Sequence, residues 1–314
     1  MKTILFSILF SISFLFCFGQ QSQTFNFKKI RLSEDSLKKK AALIMDGIDV
    51  SERTTSDSIF IKMLVRALKN KNSFNYPFDS LITISKLYSP DSLFRIFSWH
   101  LVIDEDNVIQ HGVIQMKTED GSLRLFPLYD RSDMIKDIQD SVVDNYAWVG
   151  AIYYKIVKTK SENKNIYTLL GYDENNIRSN RKYIEVLHFE EGKPIFGGDY
   201  FNIPDTIIPV NPMRYVMEYK KNSGPRLAYD DELQMIIMEH LISETNDSTK
   251  KYTLIGDGDY EGFKWENGKW KYILKVFNQV TPEDQPPMPE PMRDDKGTIQ
   301  DEKLKGRTEL QKDN

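Results

Sequence analysis

Tyr260-Glu261-Gly262-Phe263-Lys264-Trp265-Glu266-Asn267-Gly268-Lys269-Trp270-Lys271-Tyr272 reads as a β-hairpin. Asn267-Gly268 is a preferred two-residue connection, because both positions tolerate positive φ and the type I′ turn matches the twist of its strands. That turn pairs Glu266 with Lys269, Trp265 with Trp270, Lys264 with Lys271 and Phe263 with Tyr272. Phe263, Trp265, Trp270 and Tyr272 then form an aromatic ladder on one face, while the like-charged Lys264–Lys271 pair requires solvent on the other. The ladder is either core or an exposed platform for a sugar ring. The charged opposite face favours core; in the platform reading, Trp265 and Trp270 are the ligand-binding residues.

The same two-residue period extends back to Leu93. Strand-like runs rich in Tyr, Ile, Val, Phe and Trp recur at 93–103, 108–117, 147–158, 165–172, 182–189, 213–220, 251–255 and 260–276. Turn residues separate them: Asp104-Glu105-Asp106-Asn107, Asp173-Glu174-Asn175-Asn176, Glu191-Gly192 and Asn267-Gly268. Asp230 to Leu241 fits a helix or a buried strand, and its Ile- and Met-rich run favours strand. Residues 91–280 are therefore expected to be an antiparallel β domain: a large sheet, a sandwich, a barrel or a small propeller.

Upstream, the period lengthens to that of a helix over residues 33–90. Ser33 is the expected cap of a helix with Leu37, Ala41, Ile44 and Ile48 on one face and Gly47 near its end. Ser56 is the expected cap of a second, carrying Phe60, Met63, Leu64, Ala67 and Leu68. Asp79 is the expected cap of a shorter third helix through Leu81, Ile84 and Tyr88, ended by Ser89-Pro90. The fold class is mainly β with an N-terminal helical segment, α+β.

The ends read differently. Lys2, the apolar run Ile4 to Phe18 and small Gly19 form an export signal over 1–19. The run is shorter than the roughly 20 residues of a spanning helix, and Phe16 occupies the place where a lipoprotein signal needs a small residue before its cysteine. Cleavage removes Cys17, the one cysteine of the chain, so the exported protein forms no disulfide and depends on its hydrophobic core. Residues 20–32 are expected to be a flexible mature N-terminus. Residues 281–314 are expected to be a disordered tail, proline-rich and then charged. A formal charge of −4 argues against nucleic acid, whose partners are strongly basic. No stable membrane insertion is expected after cleavage; the destination is the periplasm or the extracellular space.

Catalytic signatures are lacking: there is no G-x-S-x-G, H-E-x-x-H or P-loop. Four histidines remain. If Glu105-Asp106 form a hairpin tip, residue numbers sum to 211 across the strands, and His100 faces His111. Two facing imidazoles make a candidate metal site, though a one-residue change in the loop puts them on opposite faces. His188 and His240 read as satisfied sheet residues. Asp257-Gly258-Asp259-Tyr260-Glu261-Gly262 resembles the first half of a calcium loop, but Trp265 and Gly268 stand where ligands belong, and an acidic turn is favoured. Asp230, Asp231, Glu232 and Glu239 are acids available for two-carboxylate glycoside hydrolysis.

Several short stretches carry a family resemblance: Phe94-Arg95-Ile96-Phe97-Ser98-Trp99, Pro127-Leu128-Tyr129-Asp130, Tyr167-Thr168-Leu169-Leu170-Gly171-Tyr172, Gly192-Lys193-Pro194-Ile195-Phe196-Gly197, Tyr229-Asp230-Asp231-Glu232-Leu233 with Glu239-His240-Leu241, and Tyr260-Glu261-Gly262-Phe263-Lys264-Trp265. Over roughly 50–277 the chain resembles uncharacterised secreted proteins of Bacteroidetes-type bacteria. The resemblance implies export and a Gram-negative origin, and assigns no activity. The leading functional expectation is a non-enzymatic exported binding or envelope-associated protein with a protein or glycan partner and no cofactor. The alternatives are a secreted carbohydrate-active hydrolase using two carboxylates, and a metal-binding β protein through His100 and His111.

Overall fold

Asn267 and Gly268 take φ angles of 53° and 81°, the left-handed pair of a type I′ turn, and the expected register follows: Trp265 opposite Trp270, Phe263 opposite Tyr272. The computed structural model describes residues 27–277. The export signal assigned to 1–19 and the tail assigned to 281–314 lie outside the described residues, as do positions 20–26 of the expected flexible N-terminus.

Two helices open the described chain. Helix α1 (Lys28–Asp46) starts before the expected cap, so residues 28–32, expected to be flexible, are helical, and Ile30 is buried in the core. Ser33 does not cap it; its hydroxyl donates to the Lys29 carbonyl one turn back. Leu37, Ala41 and Ile44 are buried as the spacing predicts, whereas Ile48 lies beyond Gly47 and is exposed. Helix α2 (Val50–Leu68) begins before Ser56, because Asp49 is the cap. Asp49 Oδ1 accepts from the Glu52 N–H, and the Glu52 carboxylate accepts from the Ile48 N–H, a near relative of the capping box. Ser56 is buried inside the helix.

The third expected helix is not formed. Leu81 and Ile84 are buried, but Ser85–Tyr88 is a strand, β1, paired along the edge of β2 (Phe94–Val102). Spacing alone cannot separate a one-turn apolar pattern from a short edge strand, and pairing with β2 supplies backbone partners that an isolated turn lacks. Next come β3 (Val108–Met116) and β4 (Arg124–Tyr129), completing a sheet of order β1-β2-β3-β4.

The second sheet contains β5 (Val143–Asp144), β6 (Ile152–Ser161), β7 (Lys164–Asp173), β8 (Ser179–Glu190) and β9 (Lys193–Phe196). After β10 (Phe201–Asn202), the chain returns to it as β11 (Tyr215–Lys220), which pairs with the first half of β8. The third sheet has order β10-β15-β14-β13-β12, with β12 (Leu227–Asp230), β13 (Met235–Ser243), β14 (Leu254–Glu266) and β15 (Lys269–Ile273). The ambiguous segment at 230–241 is thus a tight turn and a strand.

The three sheets stack under the helices without closing a barrel. Phe97, Trp99 and Leu101 of β2 pack against Leu37, Phe60 and Leu64 of the helices. Phe94 and Ile96, on the other face of β2, pack with Tyr167, Leu169, Tyr183 and Leu187 of the second sheet. The opposite face of that sheet, with Ile166, Leu170, Ile184 and Val186, meets Ile236, Met238, Phe263 and Trp270 of the third. Strands β2, β7 and β8 are buried on both faces, which is why they read as nearly continuous apolar runs.

Candidate functional site

The expected facing of His100 and His111 is corrected by one residue. The tip at Glu105-Asp106 forms, but the Ile103 and Asp104 N–H groups both donate to the Asn107 carbonyl, placing two residues of one strand opposite one of the other. This bulge shifts the register, so His100 faces Gln110 and Trp99 faces His111. The two imidazoles therefore point to opposite faces of the sheet and cannot share a metal ion. His111 Nε2 lies 3.2 Å from Asp57 Oδ2 of α2, and its ring stacks on Trp99. Among the described residues, no group of three or more His, Cys, Asp or Glu side chains is arranged to hold a metal.

The aromatic ladder is core, so the sugar platform is corrected too. Trp270 is 1% exposed, and its Nε1 donates to Thr168 Oγ1 in the second sheet at 2.8 Å. Trp265 is half-buried at the end of the ladder; it meets Trp270 edge-on at 5.1 Å and donates to the Lys160 carbonyl. Trp270 is therefore closed to a sugar ring. Of the acids expected at 230–239, Glu232 is exposed on its turn and the other three are committed elsewhere. Asp230 accepts from the Glu232 and Leu233 N–H groups of its turn, Asp231 pairs with Lys155, and Glu239 accepts from the Arg226 N–H.

The candidate site is a cleft of about 520 Å³ where the second and third sheets part. Ile203, Ile207 and Ile208 of the loop after β10 line it, with Tyr215 and Met217 of β11, Leu241 and Leu254 of the third sheet, and Leu274 just after β15. It lies beside an irregularity in the β13–β14 ladder. Glu239 faces Tyr260, but Leu241 faces Gly256, so Asp257, Gly258 and Asp259 arch opposite His240. Gly258 permits the arch with a φ of 88°. The calcium-like string is therefore part of strand β14, and its first carboxylate is spent locally: Asp257 Oδ2 lies 2.8 Å from His240 Nδ1, and Oδ1 accepts from the Asp259 N–H. This histidine–carboxylate pair is half of a hydrolytic relay. Ser248 also lines the cleft, but no hydrogen bond joins it to His240 among the described residues.

Glu261 follows the arch. It lies on the same face of β14 as Phe263 and Trp265, yet it lines the cleft and is 8% exposed. The Tyr272 hydroxyl donates to Glu261 Oε2. Among the described residues, no Lys, Arg or His nitrogen forms an ion pair with this carboxyl. Burial raises its pKa above the ordinary glutamate value, against the Tyr272 hydrogen bond and the pull of His240. Burial likewise raises the phenols of Tyr272 and Tyr215. Such a carboxyl can keep its proton and donate a hydrogen bond, or ionise when a cation arrives. The other cleft acids are already satisfied: Glu218 by Arg181 and Ser179, Glu239 by the Arg226 N–H. No second free carboxyl faces Glu261 there, as two-acid hydrolysis requires.

The sequence reading missed Glu261 as a site residue because it counted it within the calcium-like string. The alternation that turned Phe263 and Trp265 inward, extended one step back, turns Glu261 inward as well. No protein-family model matches the chain, and neither a curated protein nor a solved structure matches it. A second hollow, beneath the β2–β3 hairpin, is lined by Asp106, Asp130, Asp133, Asp173 and Arg181. Its acids join the first two sheets: Gln110 donates to Asp130 through its backbone and to Asp173 through its amide, and the Tyr183 hydroxyl also donates to Asp173.

Proposed function

We propose that this chain is an exported, non-enzymatic binding protein that holds an apolar-bodied small molecule in the cleft between its second and third sheets. The observation that carries the reading is a buried carboxyl without a cationic partner among the described residues, facing a hollow of about 520 Å³ walled by apolar and polar side chains together, within the size range of small-molecule sites. Lys2 and the apolar run 4–18 support export, as does the resemblance to secreted Bacteroidetes-type proteins. The satisfied state of Glu218 and Glu239 favours binding over two-carboxylate hydrolysis.

The test is an NMR titration of the purified chain with 2-(2-naphthyl)ethanol, a neutral probe with an apolar body. Shifts are expected at Tyr215, Leu241, Leu254 and Tyr272, with a Kd in the range of roughly 10 μM to 1 mM for a ligand of that size. Ile208→Trp, which fills the hollow from its loop, is expected to weaken binding. Equal binding by the filled variant overturns the reading, as does absence of binding both by this probe and by its amine and carboxylate analogues.

A further inference from the structure

Glu261 is buried in a cleft without the cation that would compensate its charge. Around it stand Tyr272 from β15, Tyr215 from β11, His240 from β13 and Asp257 from its own strand; Glu218, Glu239 and Lys251 line the same hollow. His240 is held by Asp257, and Lys251 is exposed, so neither neutralises Glu261. We infer that the ligand of this cleft carries a cationic amine, which Glu261 receives as its counter-ion among the Tyr215 and Tyr272 rings. The inference rests on the binding reading above.

An ammonium group gains from the carboxylate in a setting of reduced dielectric and from the negative faces of aromatic rings. A carboxylate ligand instead meets a cleft lined by Glu218, Glu239 and Glu261, with cations only at Lys251 and the committed His240. An alcohol can hydrogen-bond to Glu261 but brings no charge. The arriving cation also favours the ionised form that burial resists. To the extent that Glu261 is protonated, its O–H bond therefore breaks on binding, the electron pair stays on the carboxylate and the proton passes to solvent. Amine affinity should then rise with pH until Glu261 is ionised, and fall once the amine loses its own proton.

The experiment compares three probes with one apolar body: 2-(2-naphthyl)ethylamine, 2-(2-naphthyl)ethanol and 2-naphthylacetate. Each is titrated into the wild-type chain and into Glu261→Gln at neutral pH, and the amine also in buffers of differing ionisation enthalpy. The expected result is an amine preference of about tenfold or more over the alcohol, or 1.4 kcal/mol. Proton release should accompany amine binding, and Glu261→Gln should erase the preference, so that amine and alcohol bind the variant within about twofold of each other. If the alcohol or the acetate binds as tightly as the amine, the inference fails and the binding reading stands. If the amine preference survives in Glu261→Gln, the inference also fails. If none of the three binds, both fail. The wild-type comparison decides the matter even where the variant does not fold.

Discussion

The Trp99 indole donates a 2.8 Å hydrogen bond to Asp57 Oδ1, joining the middle of α2 to the middle of β2 in a contact that is almost wholly buried. The other carboxylate oxygen lies 3.2 Å from His111 Nε2. One helical acid therefore fastens the helical layer to two neighbouring strands. Asp57→Ala leaves the indole N–H without its acceptor and is expected to cost about 2–3 kcal/mol. Asp57→Asn keeps an acceptor for Trp99 and should cost about half as much or less. Urea unfolding of both variants checks the order; equal losses would show that the Trp99 bond is not the important contact.

A second prediction concerns acid sensitivity. Burial holds His100 and His188 below the ordinary histidine range, although Glu174 and Asp173 pull the first upward and Glu190 the second. The unfolded chain therefore binds protons first as pH falls through about 6.5. Stability should decline from about pH 7 downward and level off once the folded rings protonate. Asp173 and Glu261 act in the opposite sense, since burial raises both. Their contribution is complete below the ordinary carboxyl range and is lost as pH rises through their folded values. Unfolding free energies at pH 7.5, 6.5 and 5.5 should fall more steeply for the wild type than for the double variant His100→Gln/His188→Gln. An unchanged slope in the double variant would acquit the histidines.

Arg95 supplies a third. It is fully buried and, among the described residues, has no carboxylate partner. Its guanidinium donates to the Ser73 and Tyr76 carbonyls and to Gln115 Oε1, and lies 4.7–5.6 Å from the ring centres of Phe74, Phe78, Tyr88 and Phe97. Burial lowers its pKa to about 10. This cation ties the segment after α2 to the first sheet. Arg95→Met keeps much of the volume but leaves the Tyr76 carbonyl and Gln115 Oε1 without their donor, so a loss of about 2–5 kcal/mol is expected. Arg95→Lys should also destabilise, because an ammonium cannot reproduce the planar fork. Calorimetry that finds either variant as stable as the wild type would show the cation to be dispensable.

These contacts show which parts of the fold were legible in the sequence. Asn267-Gly268 fixes a register because its turn leaves no spare residue, and the ladder from Phe263 to Tyr272 follows from counting. Asp104 to Asn107 was read as a turn just as directly, but the bulge at Ile103 depends on how the flanking strands pack and leaves no mark in residue type. It moved His111 to the helical side. The helix stripe through Phe60, Leu64 and Leu68 was legible from its period. Leu81 and Ile84 carried the same period into an edge strand, where pairing with β2 outweighed local spacing. Glu261 was hidden for a different reason. Its inward direction was countable, but only the gap between two stacked sheets makes an inward acid a cleft acid.

The final prediction separates the two tryptophans of the ladder. Trp270 is buried and bonded to Thr168 across the sheet interface, whereas Trp265 is half-buried at the end of the stack. Trp270→Ala removes a full core side chain and the partner of the Thr168 hydroxyl, and should cost about 3–5 kcal/mol. Trp265→Ala gives up partial burial and one edge-on aromatic contact, and should cost about 1–2 kcal/mol. Gly268→Ala probes the same hairpin through its backbone. At a φ of 81° a Cβ is strained, and it would approach Ser161 Oγ to 2.7 Å, so a loss of about 1 kcal/mol or more is expected. Guanidinium unfolding of the three variants should rank Trp270→Ala as the most severe. A Trp270→Ala loss no greater than that of Trp265→Ala would mean that the ladder does not join the two sheets, and the position of the cleft would then need another cause.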